Sequence, residues 1–224
     1  MSHRQSMRAF WDRAAREDAE FFVDDRGHRG EAFWAAGAEI VAVFERDLGF
    51  TVRGPRIVEI GCGVGRLTRV LAERAERVTA LDVSPEMLAR AREANPGRDD
   101  IEWTLGDGAS LATVDDASAD GVFSHVVFQH IPDPAVTLGY VAEMGRVLRP
   151  GGWAAFQVSN DPSIHRRRLR VPRATRHPAW RGSSVDLAAL RRTAESAGLT
   201  VAQTAGEGTQ FCLVRLARPE TPGS

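Results

Sequence analysis

The apolar positions change their spacing along the chain, and the changes divide it. Between residues 5 and 48, Phe10, Trp11, Phe21, Phe22, Phe33, Trp34, Ile40, Val41 and Phe44 are scattered along mostly polar faces, which predicts helix. Residues 49–55, from Gly49 to Pro55, break that pattern. Short apolar runs then alternate with helical spacing. Residues 56–60 read as a strand, and 64–74 carry Leu67, Val70 and Leu71 at helical intervals. Residues 78–81 form a second strand that ends at Asp82. Ser84 and Pro85 follow, an N-cap hydroxyl and a proline at the first helical position, opening a helix to about Ala94. Residues 101–105, 121–127 and 152–158 are three further strands, the last reached through the turn RPGG. Residues 134–148 between them are helical, with Val136, Tyr140, Val141, Met144, Val147 and Leu148 available for a buried side.

Strand and helix alternating at this range imply right-handed crossovers and a parallel sheet covered on both faces. The C-terminal part differs. A helix over 186–197 precedes two strands, 199–204 and 210–217, separated only by residues 205–209 with two glycines. So short a link predicts a hairpin, which makes the last strand antiparallel to its neighbours. The expected organisation is a helical segment over 1–50, an α/β domain over 51–218 and a disordered tail over 219–224.

Composition narrows the classes. The chain has 224 residues, 43% hydrophobic and 26% charged, with a net charge of −1, which argues against a general polyanion binder or a membrane-surface protein. No apolar run approaches the ~20 residues that span a bilayer, and the first residues lack the apolar core of a signal peptide. Cys62 and Cys212 have no pairing or metal-ligand spacing. A cytoplasmic setting is the expectation. All 29 basic residues are arginine. Lysine chemistry, whether Schiff base, general base or phosphate-loop lysine, is therefore excluded.

The sharpest signal is VEIGCGVGRLT, residues 58–68. Glycines let the backbone turn tightly and approach a ligand, and the following helix offers free N–H groups. A dinucleotide fingerprint would read G-x-G-x-x-G, but here the glycines are Gly61, Gly63 and Gly65, and Arg66 stands where the third belongs. Glu59 lies two residues before Gly61, and Asp82 lies 21 after it, placed to hold a ribose diol. Asp107 ends the third strand and can accept from an adenine amine. Two acids and a glycine turn at successive strand ends suit a nucleoside without phosphates whose other end is an amino acid.

With these segments, ALDVSPEML, LGDG, GVFSHVVFQHIPD and RVLRPGGW, the chain closely resembles the class I S-adenosylmethionine-dependent methyltransferases over about residues 56–158. The resemblance implies a Rossmann-like doubly wound sheet of about seven strands with an antiparallel last strand and a helical N-terminal lid. It places Gly61, Cys62 and Gly63 at the methionine part of the cofactor, with Gly65 completing the turn and Glu59 in support. Asp82 would hold the ribose, Val83 and Met87 would flank adenine, and Asp107 between Gly106 and Gly108 would meet its edge. Ser124 and His125 would border the methionine part. Trp11 is open to two readings, closing over the cofactor or packing in the core.

Methyl transfer from a sulfonium is a direct displacement, so alignment supplies most of the acceleration and a base matters only where the acceptor must lose a proton. FQHIPDP borders the transferred methyl in this family. His130 is thus the candidate base, with structural packing as the other reading, and Gln129 could orient substrate. The Asn/Asp-Pro-Pro-aromatic motif of amino-directed nucleic-acid enzymes is absent after the fourth strand. So are a placed nucleophilic cysteine, the paired glutamates of protein arginine methyltransferases and the carboxylate cluster of the magnesium-dependent catechol type. No metal is expected.

Residues 159–183 carry seven arginines, two histidines and one acid. Arg166, Arg167, Arg168 and Arg170 could bind an anionic acceptor, or the loop could simply be solvated. The expected activity is methyl transfer from S-adenosylmethionine to a small molecule, at O or N before C, leaving S-adenosylhomocysteine. A non-catalytic cofactor-binding module and an RNA-directed enzyme are the alternatives. Neither a membrane nor a nucleic acid is the expected partner, and the sequence does not specify an oligomeric state.

Overall fold

Alternation along the strands decides the layers. In β1 (Arg56–Ile60), Ile57 packs on one face of the sheet, Val58 and Ile60 pack on the other, and all three are buried. The pattern continues into β2 (Arg77–Asp82), β4 (Ala119–Ser124) and β5 (Leu148–Val158), while β3 (Ile101–Leu105), at the sheet edge, packs on one face through Ile101 and Trp103. Strands apolar on both faces require helices on both. α2 (Gly30–Leu48), α3 (Arg66–Leu71) and α4 (Pro85–Ala94) cover one face through Ile40, Phe44, Leu71 and Leu88. α5 (Pro134–Val147) and α6 (Leu187–Ser196) cover the other through Val141, Met144 and Leu190. A fully buried side chain of this size contributes about 1.5–3 kcal/mol, so these two layers carry most of the stability.

This computed structural model describes residues 3–24, 27–163 and 182–220. Its sheet has seven strands in the order β3-β2-β1-β4-β5-β7-β6, with β6 (Thr200–Ala205) and β7 (Cys212–Ala217) completing it. β1 to β5 pair in parallel. β7 runs antiparallel between β5 and β6, as the short 205–209 link predicts. The chain winds outward from β1 to β3 and then returns to lay β4 on the other side of β1. The carboxyl ends of β1 and β4 therefore flank the crevice where doubly wound sheets bind ligands.

Local chemistry sets the boundaries. Ser84, Asp133 and Asp186 cap α4, α5 and α6, their side chains accepting from Met87, Ala135 and Ala189 N–H groups. The N-terminal region is two helices, α1 (His3–Val23) and α2, with α1 broken at Asp18 (φ −167°, ψ 89°). There the Asp18 carboxylate accepts from the Phe21 N–H at 3.0 Å, capping a new turn. β5 starts at Leu148 rather than Gly152. Ala119 pairs with Leu148 and Gly121 with Trp153, a register shift that absorbs the RPGG turn. The strand expected over 121–127 stops at Ser124, and one 3₁₀ turn (Phe128–His130) follows. Residues 221–224 of the expected tail, and Arg166, Arg167, Arg168 and Arg170, lie outside the described residues. Among the described residues no helix is long and apolar enough to cross a membrane.

Candidate active site

At the switch point the glycine turn and the segment after β4 nearly touch. Gly61 has φ +74°, and a Cβ there would lie 2.2 Å from Val127 Cγ2. Only glycine fits. The Gly61 and Cys62 N–H groups both donate to the Leu81 carbonyl, at 2.7 and 2.9 Å, which ties the turn to the end of β2. Asp82 adds a second tie. One carboxylate oxygen accepts from the Gly63 N–H at 2.9 Å and the other from the Ser84 N–H at 2.8 Å. A carboxylate has about four lone-pair sites, so Asp82 can brace the turn and still accept from a ligand.

Both acids are held away from their ordinary ionisation. Burial pushes the Glu59 carboxyl up to about 7, against the opposing 2.5 Å hydrogen bond from the Thr68 hydroxyl, and the nearby Asp82 charge pushes it further. Burial likewise raises Asp82 to about 6, opposed by the Ser84 and Gly63 N–H groups. Two carboxyls facing one cleft form a place where positive charge is stabilised.

α1 lies across this cleft and is pinned near its middle and at its C-terminal end. The Asp12 carboxylate accepts from the Ser84 hydroxyl at 2.6 Å and the Glu86 N–H at 3.3 Å, fixing α1 to the start of α4. At the far end the buried Asp24 meets Arg66 at 3.2 Å and accepts from the His28 N–H at 2.8 Å. Arg66 also donates to the Val23 carbonyl and lies 4.9 Å from the Phe33 ring centroid. Arg66, where a dinucleotide turn would need glycine, thus fastens the N-terminal helices to α3.

These elements border a cleft that is partly open to solvent. Glu59, Gly61, Cys62 and Gly63 line it from the first strand end, and Asp82, Val83 and Met87 from the second. Gly106 and Gly108 line it from the third, His125 and His130 from the fourth, and Trp11 from α1. The Trp11 ring meets the His130 ring edge-on, with centroids 5.5 Å apart, so Trp11 both covers the cleft and packs. Three of the expected cofactor residues are not among its lining. Gly65 (φ +87°) opens α3 where a Cβ would lie 2.7 Å from Trp103. Ser124 is buried and donates to the Ile60 carbonyl at 3.0 Å, bridging β4 to β1. The Asp107 carboxylate is exposed and accepts from the Ala109 and Ser110 N–H groups, both at 2.8 Å, holding the third turn in shape.

Other lining residues went unread in the sequence as site residues. Met7, Phe22 and Val23 come from α1, Leu111 follows the third turn, and Tyr140 comes from α5. Their apolar character marks them equally as core, and only the fold turns them inward. The described lining is mainly apolar and aromatic, and its arginine, Arg66, is engaged with Asp24. Among the described residues no group of three or more His, Cys, Asp or Glu side chains is placed to hold a metal ion.

A seven-stranded sheet with this order, a glycine turn at the β1–β4 switch point and an acid ending β2 is the architecture of the class I S-adenosylmethionine-dependent methyltransferases. Residues 58–156 match the family model described as "Methyltransferase domain". Similarity to curated proteins extends to the trans-aconitate 2-methyltransferase of Azoarcus sp. (strain BH72). It is 38% identical over 120 residues, covering 52% of this chain and 44% of that protein. The malonyl-[acyl-carrier protein] O-methyltransferase of Serratia marcescens is 36% identical over 130 residues, 54% of this chain and 48% of its own. The chain spans about half the length of these curated relatives. Among solved structures, the N-methyltransferase NodS from Bradyrhizobium japonicum WM9, in complex with S-adenosylhomocysteine, superposes with a TM-score of 0.67 at 20% identity. That match covers 95% of this chain and 98% of NodS.

Proposed function

We propose that the chain is a methyltransferase that takes the methyl group of S-adenosylmethionine and passes it to a small-molecule acceptor, at oxygen or nitrogen before carbon. The observation that carries this reading is one cleft at the switch point. The Gly61–Gly63 turn, the Glu59–Asp82 pair and His130 all open into it, beneath α1. The residues present fit the cofactor. Gly61 and Gly63 leave space that a Cβ would fill against Val127 and Val23. Asp82 keeps lone pairs for a ribose diol, Val83 and Met87 offer apolar walls for adenine, and Asp107 shapes the turn at its edge. Glu59 would support the methionine part, where a carboxylate favours a cation. Bound there, the cofactor supplies an electrophilic methyl. The chain's own work is to hold the acceptor in line with it and to keep water out, with Trp11, Met7 and Phe22 closing the cleft.

The acceptor enters beside His130. Segment 164–181 returns to the described chain at Gly182, against the Gln129 carbonyl, and the Ser183 hydroxyl donates to Ile131 O at 2.8 Å. An anionic acceptor would call for guanidinium partners such as Arg166, Arg167, Arg168 and Arg170, which lie outside the described residues, because the described lining is mainly apolar and its arginine is engaged with Asp24. As a test, the chain is incubated with methyl-labelled S-adenosylmethionine and source-cell extract. Label should appear in a low-molecular-weight product heavier by one methylene. Label recovered only in RNA would favour the RNA-directed reading, and label that stays on the cofactor with every extract would favour a binding module.

A further inference from the structure

The wall that carries His130 continues inward through two buried glutamines. Gln157, on β5, accepts at Oε1 from the Val126 N–H at 3.2 Å and donates from Nε2 to the Gln210 carbonyl at 2.9 Å. A backbone N–H can only donate and a carbonyl only accept, so these contacts decide which end of the Gln157 amide is oxygen. The same Nε2 donates to Gln129 Oε1 at 2.8 Å. That leaves the Gln129 NH₂ facing His130 Nε2 at 3.3 Å. An amide NH₂ has no lone pair to offer, so Nε2 must be the accepting nitrogen, and the proton of the neutral ring belongs on Nδ1.

We infer that Gln157 and Gln129 are positioning residues that hold His130 as its Nδ1–H tautomer, with the Nε2 lone pair committed to Gln129. The relay starts where the backbone is strained. Val126 is β-branched and sits at φ +56°, a conformation that persists only when its surroundings enforce it, and Gln157 holds its N–H. Protonating Nε2 would set two donors against each other across 3.3 Å. Trp11 fixes the ring from the other side, edge-on with the centroids 5.5 Å apart.

The consequence for chemistry rests on the methyl-transfer reading. His130 is then not the general base that its residue type suggests, because the nitrogen able to take a proton is already engaged. The cleft suits acceptors that arrive with a lone pair in place, such as a carboxylate or a neutral amine, over alcohols that must first be deprotonated.

The test needs no acceptor, so it stands or falls apart from the methyl-transfer reading. The whole chain is labelled with ¹³C,¹⁵N-histidine, and the His130 signals are assigned by their loss in His130→Asn. Above its titration the wild-type ring should show Nδ1 protonated and Nε2 not. Gln129→Glu puts a carboxylate oxygen where the NH₂ was and should move the Nε2 resonance into the protonated range. Gln157→Glu reaches the ring only through the Gln129 amide, which it turns over, and should produce the same swap. A wild-type ring protonated on Nε2 would overturn the inference, as would a folded Gln129→Glu chain whose tautomer is unchanged. The wild-type spectrum decides the matter even if neither variant folds.

Discussion

Asp82→Ala is expected to weaken S-adenosylhomocysteine binding by on the order of 2–4 kcal/mol, roughly 30- to 700-fold, while the sheet still forms. Two losses add. The variant removes an acceptor for the ribose hydroxyls, and it releases the Gly63 and Ser84 N–H groups that the carboxylate now holds at 2.9 and 2.8 Å. Asp82→Asn keeps one accepting oxygen and should fall between wild type and alanine. Titration calorimetry reads both. Unchanged affinity in a folded Asp82→Ala chain would remove this residue from the site.

The second large effect is on stability. Free of ligand, the chain should melt several degrees higher at pH 5 than at pH 8. Glu59 and Asp82 have folded pKa values raised to about 7 and about 6, whereas an unfolded carboxyl ionises near ~4. Between those limits the folded state holds protons that the unfolded chain has already released. Their contribution is therefore fully present below about pH 4 and lost as pH rises through about 6 to 7. Together they are worth on the order of a few kcal/mol, and ~1 kcal/mol shifts a domain of this size by ~2–4 °C. Melting curves of wild type and Asp82→Asn separate this pair from other titrating groups, since the variant should show the smaller drop. A wild-type curve that rises from pH 5 to pH 8 would mean that burial does not hold the two carboxyls protonated in the folded chain.

Much of this was legible in the sequence because its signals are local. The run VEIGCGVG states a strand, its acid and a turn that only glycine can make, and Asp82 ends the next apolar run. The short link 205–209 between two apolar runs predicts the antiparallel last strand by length alone. What stayed hidden depends on distant partners. The separation of α1 from α2 depends on Asp24 meeting Arg66, more than forty positions away, and nothing in the aromatic scatter announces it. Tyr140 reads as the buried side of a helix, which it is, while also facing the cleft. Asp107 looks like a ligand acid, yet it accepts from the N–H groups of its own turn. Gln157 looks like any polar residue in a strand until the fold lays it beneath Gln129.

The proposed function requires that this cleft bind S-adenosylmethionine and its product. Its most direct measurement is the melting temperature of the chain with S-adenosylhomocysteine, NAD or NADP, each at about 100 times the dissociation constant expected of a true ligand. S-adenosylhomocysteine alone should stabilise, by ~2.7 kcal/mol or several degrees. Stabilisation by NAD or NADP, with none from S-adenosylhomocysteine, would contradict it.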